Sequence, residues 1–240
     1  HCVTRRQRQM CIRDRCTSND LRGVGVALVT PFTKDGLVDY SALDQLVNHC
    51  IVGGCSYLVA LGTTGETATL SMDEQQVVLN KIISSATGRI PVIAGLGGNN
   101  TQEVIQRIPL LNQEGVDGFL SSSPHYNKPT QEGIFRHYMA IAEASPKPII
   151  LYNVPSRTAQ SIDSETVIRL AEASKKFIGI KEASGDLSQA MRIIAQAPDD
   201  FALVSGDDFL TLPLIALGAT GVISVCLLYT SPSPRDLRKS

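Results

Sequence analysis

The chain has 240 residues, 43% of them apolar and 19% charged, with a formal net charge of −1. That length supports one large domain with a real core. No apolar run is long enough for a membrane-spanning helix, and the balanced charge excludes a strongly basic nucleic-acid binder.

Residues 1–16, HCVTRRQRQMCIRDRC, hold five Arg and one Asp and show no apolar periodicity. Arg5-Arg6 is not followed by the apolar stretch of a twin-arginine export signal. This segment and the basic, Ser/Pro-rich 227–240 resemble translated adaptor sequence, so both are set aside as foreign and 17–226 is read as the fold. The two ends carry a net +6, which leaves the middle at about −7, the wrong sign for a phosphate-binding surface.

Within that core, eight apolar, β-branched runs recur: 24–30, 57–61, 91–96, 115–122, 148–154, 177–181, 201–206 and 220–225. Segments with helical spacing lie between them. Leu43, Leu46 and Val47 form one stripe, and Val77, Val78, Lys81 and Ile82 a second. Val104, Ile105 and Ile108 form a third, Ile134, Tyr138, Ile141 and Ala142 a fourth, and Val167, Leu170 and Ala171 a fifth. Asp39, Ser71 and Thr101 read as caps at helix starts.

Strands apolar on both faces that alternate with helices predict a parallel sheet. Eight such units predict a (β/α)8 TIM barrel rather than an open doubly wound sheet. The first strand runs into Thr30-Pro31-Phe32 with no G-x-G-x-x-G, and neither a P-loop nor a G-x-S-x-G is present. The eighth helix should follow Val225, but Ser231-Pro232-Ser233-Pro234 cannot continue a helix. The barrel is therefore expected to be truncated after strand 8, without its last helix and any C-terminal helical segment.

Of six cysteines, Cys2, Cys11 and Cys16 fall in the first segment and Cys226 at the last junction. Cys50 and Cys55 read as reduced, buried small groups, and no pair stands at zinc spacing. A cytoplasmic setting is the default expectation.

In such barrels chemistry collects at the C-terminal ends of strands. Strand 6 ends on Lys181, a position that either lets a lysine snorkel to water or buries an amine at the mouth. A desolvated, neutral amine can attack a ketone and form a Schiff base. Tyr152 ends the neighbouring strand, where its phenol could serve that amine or simply fill the core. Thr63 and Thr64 sit in a glycine-flanked turn after strand 2, and Arg157 after a proline turn could clamp a carboxylate. Asp207-Asp208 after strand 7 reads as a helix cap in preference to a metal pair, so no metal ligand set is assigned.

Three motifs, GTTGE at 62–66, YNVPSRT at 152–158 and GIKEASGD at 179–186, together resemble the dihydrodipicolinate synthase (4-hydroxy-tetrahydrodipicolinate synthase) family of pyruvate-dependent class I aldolases. The resemblance runs from about Leu21 to Val225 and implies a lyase that opens the diaminopimelate and lysine route. It implies that Lys181 forms the imine with pyruvate and that Tyr152 is the general acid/base. It gives Thr64 and Tyr126 a proton relay, with that tyrosine coming from the neighbouring subunit of a homodimer within a homotetramer. Thr63 would hold pyruvate's carboxylate, Arg157 the carboxylate of L-aspartate-4-semialdehyde, and Gly206 and Ile223 would line the pocket. No cofactor beyond the covalent pyruvate imine on Lys181 is implied. N-acetylneuraminate lyases of the same superfamily usually carry Ser-Thr for Thr63-Thr64 and lack Arg157. A non-catalytic fragment and a 2-keto-acid sensor are the competing readings, and the retained Arg157 and Tyr126 speak against the sensor. His125, Met72 and Gln75 depart from the lysine-inhibited pattern, which Asn99 and Glu103 match.

Overall fold

A computed structural model describes residues 16–111 and 114–225. The two terminal segments, Cys2, Cys11, Cys226 and the position of the eighth helix lie outside the described residues. Eight parallel strands close into one barrel in sequence order. They are β1 (Gly23–Ala27), β2 (Tyr57–Ala60), β3 (Val92–Gly95), β4 (Gly118–Ser122), β5 (Ile149–Asn153), β6 (Phe177–Glu182), β7 (Ala202–Ser205) and β8 (Gly221–Ser224). β8 pairs with β1 and closes the ring. All eight apolar runs became strands, most of them trimmed at the ends, while β1 begins one residue earlier and β6 runs one residue longer.

Helices follow each of the first seven strands: α1 (Tyr40–Val52), α2 (Met72–Ala86), α3 (Thr101–Leu111), α4 (Gln131–Ala144), α5 (Ser164–Ala173), α6 (Leu187–Gln196) and α7 (Thr211–Leu217). The Asp39 carboxylate accepts from the Ala42 N–H at 2.9 Å and opens α1. Ser71 and Glu74 form a reciprocal capping box on α2, with bonds of 3.2 and 2.8 Å. Thr101 is not a cap: Asn100 takes that place, its side-chain oxygen accepting from the Gln102 N–H at 3.1 Å.

The strands' alternation builds two cores. Inside the barrel, Ala27, Tyr57, Val59, Ile93, Leu120, Ile150, Val204 and Ile223 pack together. Outside, Val26, Leu58, Phe119, Leu151, Ile180 and Leu203 meet the buried stripes of the helices. Each aliphatic side chain fully buried there contributes about 1.5–3 kcal/mol. The α2 stripe is Val78, Leu79 and Ile82, whereas Val77 is 47% exposed and faces outward. Cys16, at the boundary of the segment set aside, is buried and packs with Leu21 against the inner core. Cys50 and Cys55 are free thiols, and burial pushes Cys55 up to about 11.

Candidate active site

β5 and β6 run side by side, with Tyr152 opposite Lys181 and Asn153 opposite Glu182. Alternation turns Ile150 and Tyr152 toward the barrel axis. The pairing shifts between Ile149 and Ile150, adding a residue on the β6 side, which lets both Ile178 and Lys181 serve the interior.

Lys181 is only 4% exposed. Its Nζ stands 4.6 Å from the centroid of the Tyr152 ring. Burial strips water from the ammonium and lowers its pKa to about 8, against a smaller upward pull from the negative charge of Asp208. The amine is thus held near the point where half of it is free to attack a carbonyl at mildly basic pH. Burial raises the Tyr152 phenol, while the positive charge of Arg157 and a hydrogen bond with the Thr63 side chain draw it back down.

Thr63 starts a short 3-10 turn, Thr63–Gly65, flanked by left-handed residues Leu61 and Glu66. The Thr67 hydroxyl donates to the Gly62 carbonyl at 3.0 Å and that of Thr30 to the Gly65 carbonyl at 2.7 Å, fixing the turn. A 3-10 turn rotates about 120° per residue, so two adjacent hydroxyls cannot face one target. It is Thr63 that meets Tyr152. The structure thus places Thr63, rather than Thr64, beside the phenol of Tyr152.

Arg157 sits on a one-turn helix, Pro155–Thr158, opened by Pro155 and closed by Ala159 at φ 60°. It shares with Thr63, Tyr152, Ser122 and His125 the wall of a cleft of about 520 Å3. Lys181 is not on that wall; it packs against the ring of Tyr152, which is. Gly206 borders the lysine, since a Cβ there would lie 3.0 Å from Lys181 Cε. Ile223 is fully buried in the inner core that Tyr152 also touches.

Tyr126 stands apart. It is 85% exposed at φ 67° and is not among the residues that line the cleft. The far side of the cleft carries Met72, Gln75 and Arg107. Gln75 donates to the Thr67 and Leu70 carbonyls and accepts from Arg107 at 2.9 Å, so its amide is fully engaged. The sequence reading missed Asp208, taken only as a cap partner, and the cross-strand pair Asn153 and Glu182. The signal for the pair was the repeated pattern of a polar residue directly after each of Tyr152 and Lys181.

A model of the dihydrodipicolinate synthetase family matches residues 20–239. The chain belongs to that family. A 4-hydroxy-tetrahydrodipicolinate synthase from Flavobacterium psychrophilum is 55% identical over 203 residues, 85% of this chain and 69% of the relative. A crystal structure of a chloride-inhibited dihydrodipicolinate synthase from Acinetobacter baumannii in complex with pyruvate superposes with a TM-score of 0.84 at 46% identity, covering 87% of this chain and 71% of that one. A monomeric dihydrodipicolinate synthase variant gives a TM-score of 0.85 at 39% identity, covering 88% and 71% of the two chains. Membership of the dihydrodipicolinate synthetase family thus agrees with the barrel order and with the lysine and tyrosine at the ends of β6 and β5.

Proposed function

We propose that the chain is a 4-hydroxy-tetrahydrodipicolinate synthase that condenses pyruvate with L-aspartate-4-semialdehyde through a Schiff base on Lys181. The observation that carries this reading is the buried lysine, lowered to about 8 and lying 4.6 Å from the ring of Tyr152. The neutral amine attacks the ketone carbon of pyruvate, and the phenol of Tyr152 delivers the proton with which water leaves. The protonated imine draws electrons from the neighbouring methyl group, which loses a proton to give an enamine. The enamine carbon attacks the aldehyde, whose distant carboxylate is held by Arg157 at the cleft wall. The amino group of the bound semialdehyde then closes onto the imine carbon and displaces Lys181. The imine is the electron sink in this sequence, so the reaction as proposed uses neither a metal nor an organic cofactor.

Thr63 hands protons to Tyr152 in this scheme. We assign the outer step of the relay to Tyr126 of a second copy, because Tyr126 is exposed and does not line its own barrel's cleft. A homodimer, paired again into a tetramer, follows as the proposed assembly. No helix among the described residues is long and apolar enough to cross a membrane, and the proposed metabolic role places the protein in the cytoplasm.

Borohydride reduction with and without pyruvate, read by intact mass and peptide mapping, tests the imine. The expected result is one reduced pyruvate adduct on Lys181. Its absence from folded protein would overturn the assignment. Trials with aldehyde acceptors then separate synthase from sugar-acid lyase, with an acidic aldehyde expected to be preferred.

A further inference from the structure

Directly behind the Tyr152 and Lys181 pair lies a second cross-strand pair, Asn153 and Glu182, both buried on the side of the sheet away from the barrel axis. The carboxylate of Glu182 is 4% exposed and is met by hydrogen-bond donors. Asn153 Nδ2 donates to both of its oxygens, at 3.1 and 3.0 Å. The Ser184 N–H donates to Oε1 at 2.7 Å and Gln189 Nε2 to Oε2 at 3.1 Å. The backbone continues the join. The Ala183 N–H donates to the Asn153 carbonyl at 2.9 Å, and the Gly206 N–H to the Glu182 carbonyl at 2.7 Å.

The orientation of this network is forced. The Ile162 N–H can only donate, and it meets Asn153 Oδ1 at 3.0 Å, so the Asn153 amide must turn its NH2 to Glu182. The Ser184 N–H fixes Oε1 as an acceptor in the same way. A carboxylate is therefore the group that can accept from every neighbour, and a buried polar network with all its members satisfied is rigid.

We propose that Glu182 and Asn153 are positioning residues, a buried clamp that sets the separation and angle between Lys181 and Tyr152 for imine formation. The proposal rests on the Schiff-base reading above. Neither residue touches the reacting atoms. They hold the ends of β5, β6 and, through Gly206, β7 in one register, and small misplacements of reacting groups cost large factors in rate.

The test compares the full chain with E182Q and with the exchanged pair N153D/E182Q. Glutamine puts an NH2 against Asn153 Nδ2, which cannot turn. The exchange restores a donor facing an acceptor and keeps an acceptor for the Ile162 N–H. With melting curves showing folded protein, E182Q should form the trapped pyruvate adduct at least about tenfold more slowly, with the half-saturating pyruvate concentration unchanged. The exchanged pair should recover most of the loss. Wild-type rates in folded E182Q, or no recovery in the exchanged pair, would overturn the clamp. Should E182Q fail to fold, Q189M removes one donor only. It should slow trapping about fivefold, the worth of one hydrogen bond, and an unchanged rate would sink the idea.

If the unaltered chain traps no pyruvate, the Schiff-base reading fails and the clamp is judged separately. Acylation of Lys181 is then followed against pH by peptide mapping. Asp208 and Tyr152, the titratable groups facing the lysine, are unchanged in every variant. A midpoint that climbs in E182Q toward that of a free lysine supports the clamp, and one that stays in place refutes it.

Discussion

Gly206 and Lys181 are in contact across the β6 and β7 ends. A Cβ at Gly206 would lie 2.7 Å from Ala183 Cβ, 3.0 Å from Lys181 Cε and 3.1 Å from the Glu182 carbonyl oxygen. The lysine stem could move, but Ala183 and the carbonyl are parts of the sheet's end. Gly206→Ala should therefore displace the amine. Overpacking of this kind costs about 1–3 kcal/mol. We expect a folded barrel with a modestly lowered Tm and sharply slower adduct trapping, and trapping at the wild-type rate would show that the space is not needed.

The lysine also predicts a pH profile. Its folded value, about 8, lies below its usual 10.5. Trapping at saturating pyruvate should rise through pH 8 and then level off until the Tyr152 phenol ionises, where an ordinary lysine would keep climbing. The linkage has a definite sign. Between about 8 and 10.5 the unfolded chain binds more protons than the folded one, so stability increases with pH across that window. Below it the full penalty of burying the amine is present, roughly 3 kcal/mol. Lys181→Met should abolish the adduct yet raise Tm at pH 7, and a fall in Tm would contradict the desolvation account.

Thr63 and Thr64 make a paired test. Thr63→Val removes the hydroxyl that meets Tyr152. It should lower kcat and shift the basic limb of the pH profile upward, because one stabilising partner of the phenolate is gone. Thr64→Val should leave that limb in place. Tyr152→Phe keeps the ring against Lys181 but loses the proton donor, and a general acid is commonly worth about 10²–10⁴ in rate. A limb that shifts in Thr64→Val but stays in place in Thr63→Val would return the relay to Thr64.

His137 gives a loss of stability in acid. It is 4% exposed, its Nδ1 lies 2.8 Å from Thr101 Oγ1, and burial lowers it to about 4. The unfolded chain holds the extra proton between about 6.5 and 4, so stability falls as pH falls through that interval. Full protonation of the unfolded chain takes away roughly 3 kcal/mol. His137→Gln should flatten the Tm against pH curve in that window, and an unchanged slope would place the acid sensitivity elsewhere.

Much of this was legible in the chain because strands buried on both faces announce themselves as apolar runs, as PIILYNV and FIGIK do. Ser71 and Asp39 were readable as caps because local hydrogen bonds need only local sequence. Thr101 was misread because its hydroxyl is drawn to His137, thirty-six positions away, and no window around residue 101 contains that histidine. That Thr63 rather than Thr64 lies beside Tyr152 was hidden for a related reason: adjacent identical residues are told apart only by which way the turn rotates. That Lys181 and Tyr152 lie side by side was legible because both stand at the ends of strands that must be neighbours in a barrel. Asn153 and Glu182 were passed over because polar residues at strand ends look like an exit to solvent until α6 and the chain near Ser161 are seen to cover them.

The ring closes where β1 meets β8, and there the backbones nearly touch: a Cβ on Gly221 would stand 2.2 Å from the Gly23 carbonyl oxygen. These partners lie roughly 200 residues apart in the chain, so their meeting carries the largest loop-closure entropy in the molecule. Seven strands can assemble by successive neighbouring crossovers before that contact exists. The glycine seam is therefore the natural last step of folding, and a bulkier residue there would speed unfolding while leaving the early collapse untouched.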